Sequence, residues 1–402
     1  MSEVRCCIAG CGPAGAILGL LLARAGVEVV VLEKHADFLR DFRGDTIHPS
    51  TLEILDELGL AERFLKELPH TEISRLIMRL PSGAKLGIDF RRLSTPYPFL
   101  AFVPQWDFLR FVTTEAARYP RFRLIMQAEV EDLIVEGGQT QGVRYRTPEG
   151  PQEIRALLTI GADGRVSRVR EAARLPLVET SPPMDVLWFR LSRHADDEDV
   201  VGFRLSPGRF FALINRGTYW QMAYVIAKGT FEQVQAAGLD AFRRTVGQGV
   251  PELADRVVEI QDWDQVKLLT VRADRLRQWY RPGLLCIGDA AHAMSPVGGV
   301  GINVAIQDAV EAANVLWRPL RHGRVHVREL ARVQRRREIA VRVVQAFQGL
   351  LQDRLLTPTL NPSGRLELPP IVRLGLRVPL VRDVPARIIA LGLWRPHVRT
   401  PG

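Results

Sequence analysis

The sequence predicts an α/β fold: a parallel sheet flanked by helices, an inserted sheet that is mostly antiparallel, and a helical C-terminal section. Three observations carry that prediction. A glycine-rich turn separates an apolar strand from a helix at the start of the chain, and a second strand-turn-helix unit occupies residues 283–309. Between them, from 182 to 275, helical periodicity gives way to short alternating strands.

At 402 residues the chain exceeds one ordinary core and suits about two domains with an extension. Hydrophobic residues at 47% and charged residues at 25% are globular values and exclude a disordered chain. The formal charge of +9 does not point to nucleic acid. Its arginines are scattered, with no zinc-finger spacing, RNA-recognition signature or long basic tail. Such a charge suits the phosphates of a nicotinamide cofactor, or weak peripheral attraction to an anionic membrane surface. Cys6, Cys7, Cys11 and Cys286 lie in or beside apolar strands without metal-ligand spacing, so they read as small core residues and no metal site is expected. No signal peptide is recognisable, no apolar run approaches the ~20 residues of a membrane span, and a cytoplasmic location is expected.

Residues 4–9 read as a first strand, 14–25 as a helix and 27–32 as a second strand ending at Glu33. The turn GCGPAG places Gly10, Gly12 and Gly15 at GxGxxG spacing, with Pro13 and Ala14 between them. Gly10 permits the tight turn, Gly12 admits a pyrophosphate to the backbone, and Gly15 lets helix and strand touch. The helix N-terminus faces the phosphates. Glu33, followed by Lys34, can accept the hydroxyls of an adenosine ribose. This is the Rossmann-like fingerprint, and it does not separate FAD from NAD.

A helix is expected over 49–58, with Leu52, Leu55 and Leu58 on one face and Gly59 ending it. Ahead of it lies a loop with Arg43 before Gly44. Residues 71–100 read as hairpin strands, with a PSG turn at 81–83. A helix follows, with Gln105 at its start, the weaker candidate Arg110, and Trp106, Leu109 and Val112 or Thr113 sharing a face. Strands at 123–125, 129–135, 142–145 and 154–160 lead to GADGRVSRVR, whose Asp163 and Gly164 end a strand ahead of Ser167 and Arg170.

The alternating region 182–275 contains VLWFRLS, RFFALIN, TYWQMAYVIA and VKLL, with one amphipathic helix expected at 231–246. It has no phosphate motif and is the natural substrate-binding sheet, with Trp188, Arg190, Arg209, Phe211, Trp220, Gln221 and Tyr224 as candidate pocket residues. Then comes GLLCIGDAAHAMSPVGGVGINVAIQDA. Asp289 stands at a strand end, where a carboxylate accepts from sugar-type hydroxyls. Pro296 stiffens the loop, and Gly298, Gly299 and Gly301 clear space for a flat ligand against bare backbone. The amides of 300–303 open a helix and favour an anionic edge. A nicotinamide enzyme has no need of this second strand-end carboxylate so far along the chain, whereas a long FAD molecule spans both ends.

That helix is expected to run to about 316 and a second to cover 329–351, where the cluster QRRRE reads as a solvated face. The apolar and basic tail, 371–381 and 385–393, is open to three uses: packing over the core, a homodimer contact, or rest on a membrane surface.

Taken together, GCGPAG, GADGRVSRVR and GDAAHAMSPVGGVGIN resemble the class A flavoprotein monooxygenases, the aromatic hydroxylases built like para-hydroxybenzoate hydroxylase, over residues 1–350 or so. The resemblance implies a discontinuous FAD-binding domain (1–70, 101–180, 276–320), a substrate-binding β-sheet domain (71–100, 181–275) and a helical C-terminal extension (321–402). It implies cofactor contacts at Gly10, Gly12, Pro13, Ala14, Gly15, Glu33, Lys34, Arg43, Gln105, Asp163, Asp289, Gly299, Gly301, Ile302 and Asn303. Arg43 would help the flavin swing, and the Pro296 loop would shield its reactive face. The implied reaction uses NAD(P)H and O2 and hydroxylates an aromatic, quinone-like or polyketide-type small molecule through a flavin C4a-hydroperoxide. No general base is assigned, since His48, His70 and His292 each have a structural explanation. The Trp-x-Trp-x-Ile-Pro stretch of flavin halogenases is missing. An isoprenoid-type reductase and a non-catalytic flavin-binding protein are the alternative readings.

Overall fold

The computed structural model describes residues 3–39, 46–79, 85–180, 182–197, 202–206, 208–353 and 383–402. Strand β1 (Glu3–Ala9) pairs in parallel with β2 (Val29–Glu33) on one side and with Gly150–Gly161 on the other. Phe122–Met126 extends the sheet beyond β2, and Leu284–Cys286 extends it beyond Gly150–Gly161, both in parallel. All five residues of β2, Val-Val-Val-Leu-Glu, are buried, as a parallel strand covered on both faces demands. Helix α1 (Pro13–Arg24) packs on this sheet and against the long helix Gly301–Arg321. The first half of Gly150–Gly161 instead pairs antiparallel with Gln139–Thr147, which pairs with Glu129–Glu136.

The second sheet has seven strands in the order Lys267–Leu269, Met184–Ser192, Tyr219–Ala227, Arg209–Asn215, Gly202–Ser206, Arg75–Arg79, Lys85–Asp89. Only the contact of Gly202–Ser206 with Arg75–Arg79 is parallel. Thr46–Ile47, Leu100–Phe102 and Thr71–Ile73 form a separate small antiparallel sheet. So within 71–100 the strands divide between two sheets.

Several local expectations change. The single helix expected at 231–246 is two, Phe231–Ala236 and Leu239–Gly249, because Gly238 at φ +87° breaks the chain between them. The helix opened at Gly301 runs on to Arg321, tolerating Pro319 close to its end. Trp106 is only half-buried, and Phe108, Leu109, Phe111 and Val112 make the covered face of Gln105–Ala116. In the tail, Val384–Ala390 is a helix whose Ala386, Ile389 and Ala390 are buried in the main core, so this part packs over the core. Its companion stretch 371–381 lies outside the described residues. Among the described residues no helix is long and apolar enough to cross a membrane.

Candidate active site

The first glycine turn is shaped by backbone contact. A Cβ on Gly10 (φ +94°) would lie 2.5 Å from the carbonyl oxygen of Ala162, and one on Gly15 would lie 2.0 Å from that of Gly10. Gly12 differs, since a Cβ there would meet nothing within 4 Å. Thus Gly10 and Gly15 are required by the fold, while Gly12 faces open space. Helix α1 starts with Pro13 at its first position and Ala14 next, and no side chain caps it, leaving its first N–H groups for a ligand. The buried Glu33 carboxylate accepts from the Cys11 amide at 3.0 Å and from the His35 amide at 3.1 Å, tying the turn to the end of β2. Lys34 is exposed beside it.

The Asp-Gly turn adjoins this loop, because Gly10 touches Ala162 and Asp163. Asp163 accepts from the Ser167 hydroxyl at 2.5 Å and from the Val169 amide at 3.1 Å. Burial pushes its carboxyl above the usual range, opposed by those hydrogen bonds. Arg165 and Arg170 then cross to the Gly-Asp turn: Arg165 donates to the Asp289 carboxylate at 3.3 Å and Arg170 to the Ala290 carbonyl at 3.2 Å. Gly288 (φ +58°) sits between helices, where a Cβ would lie 3.2 Å from the Cβ of Ala14 and 3.1 Å from that of Ala305. Three stretches distant in sequence therefore meet at one edge of the parallel sheet.

Past Asp289, Pro296 leads into a turn with Gly298 at φ +80° and Gly299 at φ +62°, conformations that strongly favour glycine. Helix Gly301–Arg321 follows without a side-chain cap, and a Cβ on Gly301 would meet nothing within 4 Å. The half-open N-terminus next to Ile302 is thus available to an anionic edge. The Asn303 side chain is not: its amide donates to the carbonyls of Thr46 (2.9 Å) and Gly299 (3.2 Å), and its oxygen accepts from the His48 amide and the Thr51 hydroxyl. Gln105 opens its helix half-buried, and Arg110 is exposed. Arg43 lies outside the described residues.

These residues fit a long dinucleotide with a flat ring: two uncapped helix N-termini, two glycines facing open space, and strand-end carboxylates between them. A family model described as FAD binding domain matches residues 3–347. The 6-methylpretetramide 4-monooxygenase of Streptomyces rimosus is 33% identical over 386 residues, 95% of this chain and 91% of that one. The chain belongs to this family of FAD-dependent monooxygenases. The anhydrotetracycline monooxygenase of the same species is 28% identical over 340 residues, and the present chain spans 61% of its length. In fold, the monooxygenase matches the solved anhydrotetracycline hydroxylase of S. rimosus with a TM-score of 0.75 at 23% identity, covering 97% of this chain and 76% of that one.

Beneath the Gly-Asp turn of the monooxygenase lies a charged group that sequence reasoning missed. Asp308 is 0% exposed; it accepts from the Gly288 amide at 3.1 Å, from His292 Nε2 at 2.5 Å and from Arg337 Nε at 2.8 Å. Burial works to raise its carboxyl, but His292 and Arg337 outweigh that and hold it below the usual range. The reading of QRRRE as a solvated face is corrected for Arg337, which is 1% exposed and also reaches Gln307 at 3.1 Å. His292 and His48 are structural; His48 is buried and donates through Nδ1 to the Ile389 carbonyl at 2.6 Å, and burial lowers its pKa to about 4. The cysteines are buried in the core, with the Cys7 thiol pushed up to about 12 by burial.

The seven-stranded sheet has two apolar faces. Leu187, Phe211, Trp220 and Met222 pack against the helical cover supplied by Phe242, Val246 and Leu253. The opposite face, with Val186, Phe210, Ala212 and Val225, packs with Met78, Trp188, Phe203 and with Val297 from the glycine-rich loop. Four candidate pocket residues belong to the covered side: Phe211, Trp220, Tyr224 and, by alternation, Arg209, which bonds Gln248 at 2.7 Å. Trp188 lies on the other side, with Arg190 and Gln221 by the same alternation. Gln221 accepts from Arg216 at 2.8 Å, and that guanidinium lies over the ring of Phe102.

Proposed function

We propose that the monooxygenase hydroxylates a planar, electron-rich small molecule of the aromatic, quinone-like or polyketide type, with NAD(P)H and O2 as co-substrates. The observation that carries this reading is the meeting of three separate motifs at one sheet edge, opposite the apolar sheet face that receives Val297. In this reading Gly10, Gly12, Pro13, Ala14 and Gly15 receive the pyrophosphate of FAD at the N-terminus of α1. Glu33 and Lys34 face the adenosine ribose, Gln105 and Asp163 flank the middle, and Asp289 takes a ribityl hydroxyl. The main chain of Gly299, Gly301, Ile302 and Asn303 would hold the ring.

Bound FAD supplies electrons taken from NAD(P)H and the activation of O2. The protein's part is to orient and exclude water. The uncapped amides at 301–303 would donate to negative charge on the bound ring without reorganisation. Pro296 and Val297, with Met78, Trp188 and Phe203 across from them, keep the reacting face dry and accept a flat apolar body. The seven-stranded sheet is then the substrate-binding part of the molecule. The relative acting on 6-methylpretetramide supports an acceptor of this general class.

The test is NADPH consumption by the purified yellow protein with a panel of polycyclic phenols and quinones, with mass detection of product. Substrate-stimulated consumption and one added oxygen atom derived from O2 are expected. Reduction of a double bond without oxygen incorporation would overturn the hydroxylase reading in favour of a reductase.

A further inference from the structure

Helix Val327–Leu351 has no part in the roles above, yet its polar side chains reach the ring end of the site at two places. Arg337 grips Asp308, and Asp308 accepts the amide of Gly288, the residue before Asp289. Three turns further on, Gln348 donates to the carbonyls of Ser295 and Val297, each at 2.8 Å, on both sides of Pro296. Gln352, just past the helix, bonds the Ser295 hydroxyl at 2.6 Å. Positions 337, 341, 344, 348 and 352 recur at helical spacing, so a single face of this helix underlies both the turn and the loop.

We propose that this helix is a positioning spine for the ring end of the cofactor site, with Arg337, acting through Asp308, and Gln348 as its positioning residues. Pro296 has no N–H, and Gly298 and Gly299 have the widest conformational freedom of any residue, so the loop needs outside contacts to hold one shape. Gln348 is nearly fully buried and supplies two of them. The buried charges have the same logic. A buried ion pair is no more stabilising than a well-packed apolar pair, so its value here lies in geometry. One carboxylate fixes the Gly288 amide, His292 and Arg337 at once, which no apolar side chain could do.

The inference rests on the reading of Asp289 and the Pro296 loop as cofactor contacts, and the experiment separates the two. FAD affinity of apo-protein, visible circular dichroism of the bound flavin, and melting of apo-protein are measured for wild type, Gln348→Met, Asp308→Leu/Arg337→Met, Arg337→Lys and Asp289→Asn. Gln348→Met and the double variant are expected to bind FAD about tenfold more weakly, since each leaves buried polar backbone without its partner. Their flavin dichroism should change, apo-protein melting should fall modestly for the same unpaired groups, and Arg337→Lys should bind FAD more tightly than the double variant. Wild-type affinity and dichroism in both Gln348→Met and the double variant would overturn the proposal, whatever their melting. Should the double variant not fold, Gln348→Met decides alone. If wild type binds no FAD, or Asp289→Asn binds it as well as wild type, the fault lies with the cofactor reading itself.

Discussion

At the end of the site proposed for the nucleotide, glycine backbone lies directly on backbone, with Gly15 against Gly10 and Gly10 against Ala162. At the end proposed for the ring, the turn at Gly288 and the loop at Pro296 are held by buried side chains from helices further along the chain, Asp308, Arg337 and Gln348. The first arrangement depends on what is missing from the residues concerned; the second depends on functional groups being supplied. They should therefore break in different ways, one through steric clash and the other through unpaired polar groups.

A large effect is expected from Gly15→Val, whose side chain has no room beside the Gly10 carbonyl and should destabilise the fold by about 3 kcal/mol. Gly12→Ala is its counterpart, for an added Cβ there meets nothing within 4 Å. Denaturation of the Gly12→Ala apo-protein should match wild type within about 0.5 kcal/mol while FAD binding weakens. Equal losses of stability in the two variants would erase the distinction between a glycine kept for the fold and one kept for the ligand.

At the ring end, Arg337→Met leaves a buried carboxylate short of its partner and should cost about 3 to 5 kcal/mol in urea denaturation. Arg336→Met removes a neighbouring ion pair, to Glu311 at 2.6 Å, from a side chain that is 48% exposed, and should cost less than about 1 kcal/mol. Comparable costs would mean that burial of the Arg337 pair has no special weight.

A pH series separates this region from the tail that covers it. His48 is neutral in the folded protein, its pKa lowered to about 4 by burial. The unfolded chain, with an ordinary histidine near 6.5, binds the extra proton first as pH falls. Stability linked to His48 is thus intact above about pH 6.5 and declines toward pH 4, by about 2 kcal/mol at pH 5. Asp308, held below the usual carboxylate range, loses its contribution only below about pH 4. Denaturation at pH 8 and pH 5 should show the loss in wild type and a smaller one in His48→Gln. An unchanged slope in that variant would remove His48 as the cause.

The smallest effects belong to the two faces of the seven-stranded sheet. Trp188→Phe, on the side that receives Val297, should raise the KM for an aromatic substrate several-fold, whereas Tyr224→Phe on the helix-covered side should leave it within about twofold. The reverse order would put the substrate on the wrong face.

These contrasts also explain what could be read in the sequence. Gly10, Gly12 and Gly15 were legible because backbone contact and ligand approach admit one residue type at fixed spacing, and Asp163 and Asp289 because each ends an apolar strand. Arg337 was not, since it stands beside Arg335 and Arg336 and only the fold reveals which of the three meets Asp308. Gln348 carries no motif, because its partners are main-chain carbonyls that any sequence would present. Nor could alternation tell which face of the sheet stays free of a helix, for both faces are apolar and one is hidden by the helix Leu239–Gly249. Arg337 had one usable signal: Asp308 lies among the buried small residues Ala305, Ala309 and Ala312 and needs a cationic or hydrogen-bonding neighbour.

The central claim is that the turn at Gly10, the Asp163 turn and the loop at Pro296 grip one FAD between them. Titration of FAD into apo-protein, followed by flavin fluorescence, tests it most directly. Saturable binding of one FAD per chain is predicted, weakened separately by Gly12→Ala at the nucleotide end and by Asp289→Asn toward the ring end. A chain that takes up no FAD, or whose affinity for FAD is untouched by Asp289→Asn, would contradict it.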